Sequence, residues 1–290
     1  MTTKVTGRLG DAVPVPPLVG RFRRTRRGRA AASPSRGRAA AALLLVGLLA
    51  GCGLPATTEP ATTADPAPDP ATAGASGPVA GRPRPAAISY PADGDNHWQV
   101  AAAQPDVPGG AGRLLRYRVA VERDIRGLPV AGVAAEITRT LDEPQGWTTD
   151  GTLRLRRVGR DQPADFTIYL ATPGTRDELC GDTPDGYTSC RNGDRVVLNV
   201  ARWVKGVPGY GASLATYRRY LVNHEVGHRL GRGHERCPGR GRPAPVMQQQ
   251  TLGLHGCTPN ASPYRDGVRY SGPPGSYDDR VPPREPGRQG

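Results

Sequence analysis

Three of the five histidines in this 290-residue chain fall in one short run, His224-Glu225-Val226-Gly227-His228-Arg229-Leu230-Gly231-Arg232-Gly233-His234. On a helix of about 3.6 residues per turn, residues four apart share a face, so His224 and His228 can offer imidazole nitrogens to one metal ion. Glu225 is turned roughly 100° from His224, which is poor placement for a ligand beside it but close enough to hold a water on the metal. That is a general base's position. A third ligand must approach from another direction, so the helix has to end. Gly231 reaches the left-handed conformation that terminates helices, and Gly233 leaves the chain free to turn back and bring in His234. Three neutral histidines leave a dication its charge and one open tetrahedral position, which suits catalytic zinc better than a closed structural site. Water there would have its pKa lowered to about 7 and become a usable nucleophile. His97 and His255 lie outside the run and are expected at the surface.

The elements that must position this run can be read around it. Ser213 is placed to cap a helix in which Leu214, Tyr217, Leu221, His224 and His228 recur at spacings of three and four, so one face begins as core and ends as ligands. Arg218, Arg219 and Arg229 project from other faces and read as solvated. Strands are expected at His97–Val100, Arg116–Arg123, Leu153–Val158, Ala164–Leu170 and Arg195–Ala201, with a helix over Pro129–Leu141 that packs Val130, Val133, Ala134, Ile137 and Leu141. The stretch from Pro173 to Asn192, rich in Gly, Asp and Thr, reads as a loop.

The extended histidine motif resembles that of the metzincin zinc peptidases, matrixin-like members above all. The run Tyr220-Leu-Val-Asn-His-Glu-Val-Gly-His resembles a family of actinobacterial secreted proteins with an uncharacterised metzincin-like domain. The likeness implies an α+β fold of zincin type: a twisted, mostly parallel sheet with two helices above an irregular lower part. It also implies a methionine turn beneath the metal, and Met247, the only methionine besides Met1, sits where that turn would be. The loop from Pro173 to Asn192 should lie near an edge strand that aligns an extended substrate. The implied activity is zinc-dependent endopeptidase hydrolysis of a peptide or protein, with Glu225 as general base. Alternatives are a zinc-dependent hydrolase of cell-wall amides and a non-catalytic, metal-holding lipoprotein binding module. No structural calcium or second zinc loop can be matched, and the residue after the third histidine is Glu235.

The formal charge of +13 is unevenly spread. Residues 1–50 carry ten Lys or Arg against Asp11 alone, leaving 13 minus 9, or +4, for the rest. The basicity therefore belongs to a targeting segment, and nucleic acid is not expected as a partner. An apolar run from Ala39 ends in Leu49-Ala50-Gly51-Cys52, which resembles a bacterial lipobox with Cys52 as the lipidated residue. Residues 1–52 are thus expected to be a signal segment that leaves the protein exported and held at the membrane by a lipid anchor or an uncleaved span. Residues 53–94, mostly Ala, Thr, Pro and Gly, read as a disordered linker without a cysteine to silence the metal. Residues 95–262 make one catalytic domain, expected to be monomeric, and 263–290 a disordered tail. Setting Cys52 aside leaves Cys180, Cys190, Cys237 and Cys257, for which three pairings exist. Pairing neighbours, Cys180 with Cys190 and Cys237 with Cys257, closes two short loops, the second bracketing Met247.

Overall fold

The computed structural model describes residues 86–106 and 109–290, all within one compact unit, Ala75–Gly290. The signal segment, Cys52 and the linker as far as residue 85 lie outside the described residues. The elements in order are β1 (Trp98–Val100), β2 (Arg113–Glu122), α1 (Val130–Leu141), β3 (Leu153–Arg157), β4 (Phe166–Ala171), α2 (Pro173–Cys180), β5 (Cys190–Asn192), β6 (Arg195–Asn199), α3 (Val200–Lys205), α4 (Leu214–Arg229), β7 (Tyr264–Arg265) and β8 (Val268–Arg269). The fold is α+β with a mixed, mostly parallel sheet. Its order is β1-β2-β4-β6-β5, with β3 also on β2; β2, β3, β4 and β6 run parallel, while β1 and β5 are antiparallel to their neighbours.

Alternation of side chains along the strands divides the core in two. Leu115, Tyr117, Val119 and Val121 of β2, Phe166, Ile168 and Leu170 of β4, and Val196 and Leu198 of β6 are buried toward one face. There they meet Val133, Ile137 and Leu141 of α1 and Tyr217, Leu221 and Val226 of α4, each such side chain gaining about 1.5–3 kcal/mol from burial. The opposite face is smaller: Val197 and Ala171 pack with Leu179 and Cys180 of α2. Trp98 stands edge-on to Tyr169 there, with ring centroids 4.6 Å apart.

Four expectations need correction. The Pro173–Asn192 stretch is a helix and a strand rather than a loop: Pro173 occupies the first turn, where its missing N–H costs nothing, and Gly181 at φ 63° ends α2. The strand beginning at Arg195 stops at Asn199, whose side chain accepts from the Ala201 N–H and starts α3. Ordered chain begins before residue 95, because Tyr90 is buried and exchanges backbone hydrogen bonds with Arg288. Residues 263–290 are laid over the domain rather than forming a disordered tail. Tyr264 is buried, β7 and β8 form a hairpin, and Glu285 pairs with the buried Arg202. The tail's composition hid this, since it docks by backbone and ion-pair contacts instead of a periodic apolar face.

The arginines of α4 are also less solvated than their positions suggest. Arg218 pairs with Glu136 of α1 at 3.1 Å and donates to the Trp203 carbonyl, Arg219 pairs with Glu143, and Arg229 donates to the Asp165 carbonyl. These contacts tie α4 to α1 and to the start of β4.

Candidate metal centre

Helix α4 begins where Ser213 Oγ accepts the Thr216 N–H at 3.1 Å, and its middle is buried on nearly every side. Its end is a Schellman turn. The Gly231 N–H donates to the His228 carbonyl and the Arg232 N–H to the Gly227 carbonyl, with Gly231 at φ 83°. The chain turns there, and His234 comes back toward the two helical histidines.

The three imidazoles converge through their Nε2 atoms. His228 Nε2 is 3.2 Å from His224 Nε2 and 3.1 Å from His234 Nε2, and the three ligand nitrogens all lie within 4.8 Å of one another. Their far sides are held: His224 Nδ1 faces the Val246 carbonyl at 2.9 Å, His228 Nδ1 the Arg232 carbonyl at 2.8 Å, and His234 Nδ1 the Ser276 hydroxyl at 2.9 Å. A carbonyl can only accept, so the Nδ1 atoms of His224 and His228 carry the proton, and in the neutral rings Nε2 is a bare lone pair. Lone pairs aimed at one point repel unless a cation lies between them. Metal–nitrogen bonds of 2.0–2.1 Å in a tetrahedron would separate the nitrogens by about 3.3–3.4 Å, close to the spacing seen. The donor set therefore fits a divalent ion such as zinc.

Burial keeps these rings in the neutral form a metal requires. His224 is held well below the usual histidine range by burial and then by His228 and His234, against the Val246 carbonyl bond. Burial also lowers His228, and burial followed by His228 brings His234 down to about 4. Glu225 is pushed up to about 8, chiefly by burial, with Arg176 opposing. A cation held by the adjacent histidines favours its ionised form.

Glu225 and the three histidines line one cavity of about 390 Å³. Its walls come from α4, from Arg176 and the segment that carries Asp182 to Arg191, from Gln249–Leu252, and from Val281 near the C-terminus. Both cysteine pairings expected from sequence are present, Cys180–Cys190 and Cys237–Cys257, with Cα atoms 6.0 and 5.8 Å apart. The first ties α2 to β5 at the cavity wall, and the second brackets Met247. Met247 is fully buried at a tight turn in which the Gln248 N–H reaches the Pro245 carbonyl, and the preceding residue, Val246, accepts from His224.

Several supporting residues carry no metal chemistry of their own and, Tyr217 apart, do not stand out in the sequence. Gly227 lies against the Met247 sulfur and Trp147, so a Cβ there would collide with both. Trp147 Nε1 donates to the Asn223 carbonyl at 2.9 Å. Tyr210, Tyr217 and Tyr220 form a ring cluster whose hydroxyls bond to Gln250, Thr251 and the Gln248 carbonyl, clamping the segment after Met247 to α4. The Tyr-x-x-Tyr spacing of Tyr217 and Tyr220 is the sequence signal for that cluster.

A family profile described as "Protein of unknown function (DUF3152)" matches residues 84–261, more than half of the chain. The chain belongs to that family. The matched span contains all three converging histidines and Glu225, and it ends before the segment that carries Ser276 and Val281. Neither the curated proteins nor the solved structures include a match.

Proposed function

We propose that this DUF3152 protein is an extracytoplasmic zinc endopeptidase with a metzincin-like catalytic domain. The observation that carries the reading is the convergence of three Nε2 atoms, those of His224 and His228 bare lone pairs, beside a buried carboxylate in an open cleft. His224, His228 and His234 would hold the ion, which when bound supplies a Lewis acid for the scissile carbonyl and acidifies water. Glu225 takes the proton from the attacking water on its carboxylate and returns it to the leaving nitrogen, with burial keeping that proton from bulk solvent. The hydrogen bonds on the three Nδ1 atoms hold ring orientation, and the carbonyls on His224 and His228 also fix the tautomer, as outer partners of metal-bound histidines do.

The architecture agrees with this reading. Strand β5 pairs with β6, and Cys190 and Arg191 line the cavity, so an extended peptide could add alongside it. The Met247 turn under the histidines resembles the methionine turn of metzincins. Two disulfides accord with an oxidising exterior.

The test is cleavage of a pool of generic peptides by the oxidised protein, wild type beside Glu225→Gln. Loss of about 10²–10⁴-fold in rate with zinc content unchanged is expected. Equal cleavage by both proteins, or none by zinc-loaded wild type on peptides, would remove the peptidase assignment.

A further inference from the structure

The C-terminal segment 271–290 runs from the three histidines past the cavity wall to Gly186, α3 and Tyr90, and its contacts form a series. Glu235, directly after the third histidine, accepts from Arg269 at 3.0 Å and from the Gly272 N–H at 3.4 Å. The Arg236 N–H then donates to the Pro273 carbonyl at 2.7 Å, and the Gly275 N–H to the His234 carbonyl at 2.9 Å. Ser276 Oγ meets His234 Nδ1, and Tyr277 stacks on His255 with centroids 3.5 Å apart. Val281 reaches the cavity. Beyond it, Glu285 pairs with Arg202, which is 1% exposed, and with Lys205.

Two features show that this docking is specific. A Cβ at Gly272 would run into the Arg236 carbonyl oxygen, so the segment lies flush against the residues that follow His234. Arg202 receives its carboxylate from the segment alone among the described residues. The strap is thus fixed at both ends, with His234 under its first part.

We propose that the strap is a working part of the metal centre and that Ser276 is a positioning residue for His234. His224 and His228 are oriented by backbone carbonyls that come with the helix end and the Met247 turn. His234 sits on irregular chain, and its ring is oriented by a side chain 42 residues away. With the Nδ1–H donated to Ser276 Oγ, the Nε2 lone pair is aimed at the other two. Without that partner the ring is free to rotate. This inference rests on the metal reading above, but not on catalysis.

The experiment is competition for zinc between the full chain and a chelator of known affinity, together with the visible spectrum of the cobalt(II)-loaded protein. Ser276→Ala should raise the zinc Kd by about 10–100-fold and alter the cobalt spectrum, with the melting temperature of the metal-free protein unchanged. Ser276→Thr, which keeps a hydroxyl, should recover most of the affinity. Gly272→Ala, which displaces the strap and leaves Ser276 intact, should weaken zinc in the same direction. Wild-type affinity and spectrum in Ser276→Ala, with His234→Ala losing the metal, would overturn the positioning role and leave the peptidase reading standing. A wild-type protein that binds no zinc would overturn both.

Discussion

The two helical histidines and the third one are held by different kinds of structure. His224 and His228 are placed by a 16-residue helix that is capped at Ser213, buried through its middle and ended by Gly231. Their outer hydrogen bonds go to backbone carbonyls, of Val246 on the Met247 turn and of Arg232 at the helix end. His234 follows the helix on irregular chain, is partly exposed, and leans on a strap from the far end of the sequence. Periodic structure fixes ligands by local geometry, whereas a loop ligand needs support imported from elsewhere. The difference predicts that damage to α4 should act mainly on folding, whereas loss of Ser276, the strap's contact with His234, should act mainly on the metal.

The largest effect should come from removing a helical ligand. Loss of an outer partner typically costs about 10–100-fold in metal affinity, so loss of a ligand in His228→Ala should weaken zinc by at least about 10²-fold, measurable by chelator competition. His234→Ala should do the same, so the comparison is sharpened only by what supports each ring. Next comes Glu285→Ala, which leaves Arg202 buried without its carboxylate and should cost about 3 kcal/mol, read from urea unfolding. If the strap behaves as one unit, the same variant also lowers zinc affinity, though it touches no ligand.

Gly227→Ala attacks the helix side. The added methyl would meet Met247 and Trp147, both fully or almost fully buried, so neither can move aside. A loss of about 1–3 kcal/mol is expected from overpacking, seen as a lower urea midpoint at unchanged slope. The smallest change, Ser213→Ala, removes the cap at the end of α4 remote from the metal and should cost about 1 kcal/mol. Zinc affinity should stay at the wild-type value in that variant. A Ser213→Ala protein that lost zinc as strongly as Ser276→Ala would erase the distinction between the two sides.

The same contrast explains what could be read from the sequence. The helical histidines, Glu225 and the Gly231 stop follow from spacing on a helix, and β1, β2, β3, β4 and the body of β6 follow from alternation, so most of the sheet and α1 and α4 were legible, while the edge strand β5 was not. The disulfides were legible because pairing neighbours closes two short loops. Helix α2 was not, because its polar run Thr175-Arg176-Asp177-Glu178 has no apolar period, and its stability comes from packing Leu179 and Cys180 on the sheet. The strap was missed for a related reason. A Pro- and Gly-rich segment reads as unstructured when its contacts are backbone hydrogen bonds to residues 234–236 and one carboxylate on a buried arginine. Such contacts have no sequence period, and their partners lie far away in the chain.

On the proposed reading, the three histidine nitrogens hold a zinc ion with one position left open. X-ray absorption at the zinc edge, on oxidised full-length protein purified without chelator, tests it most directly. Three nitrogen neighbours at about 2.0–2.1 Å with one further light atom, and one zinc per chain, are the expected result. A protein that retains no zinc, or one whose zinc shows sulfur neighbours near about 2.3 Å, would contradict it.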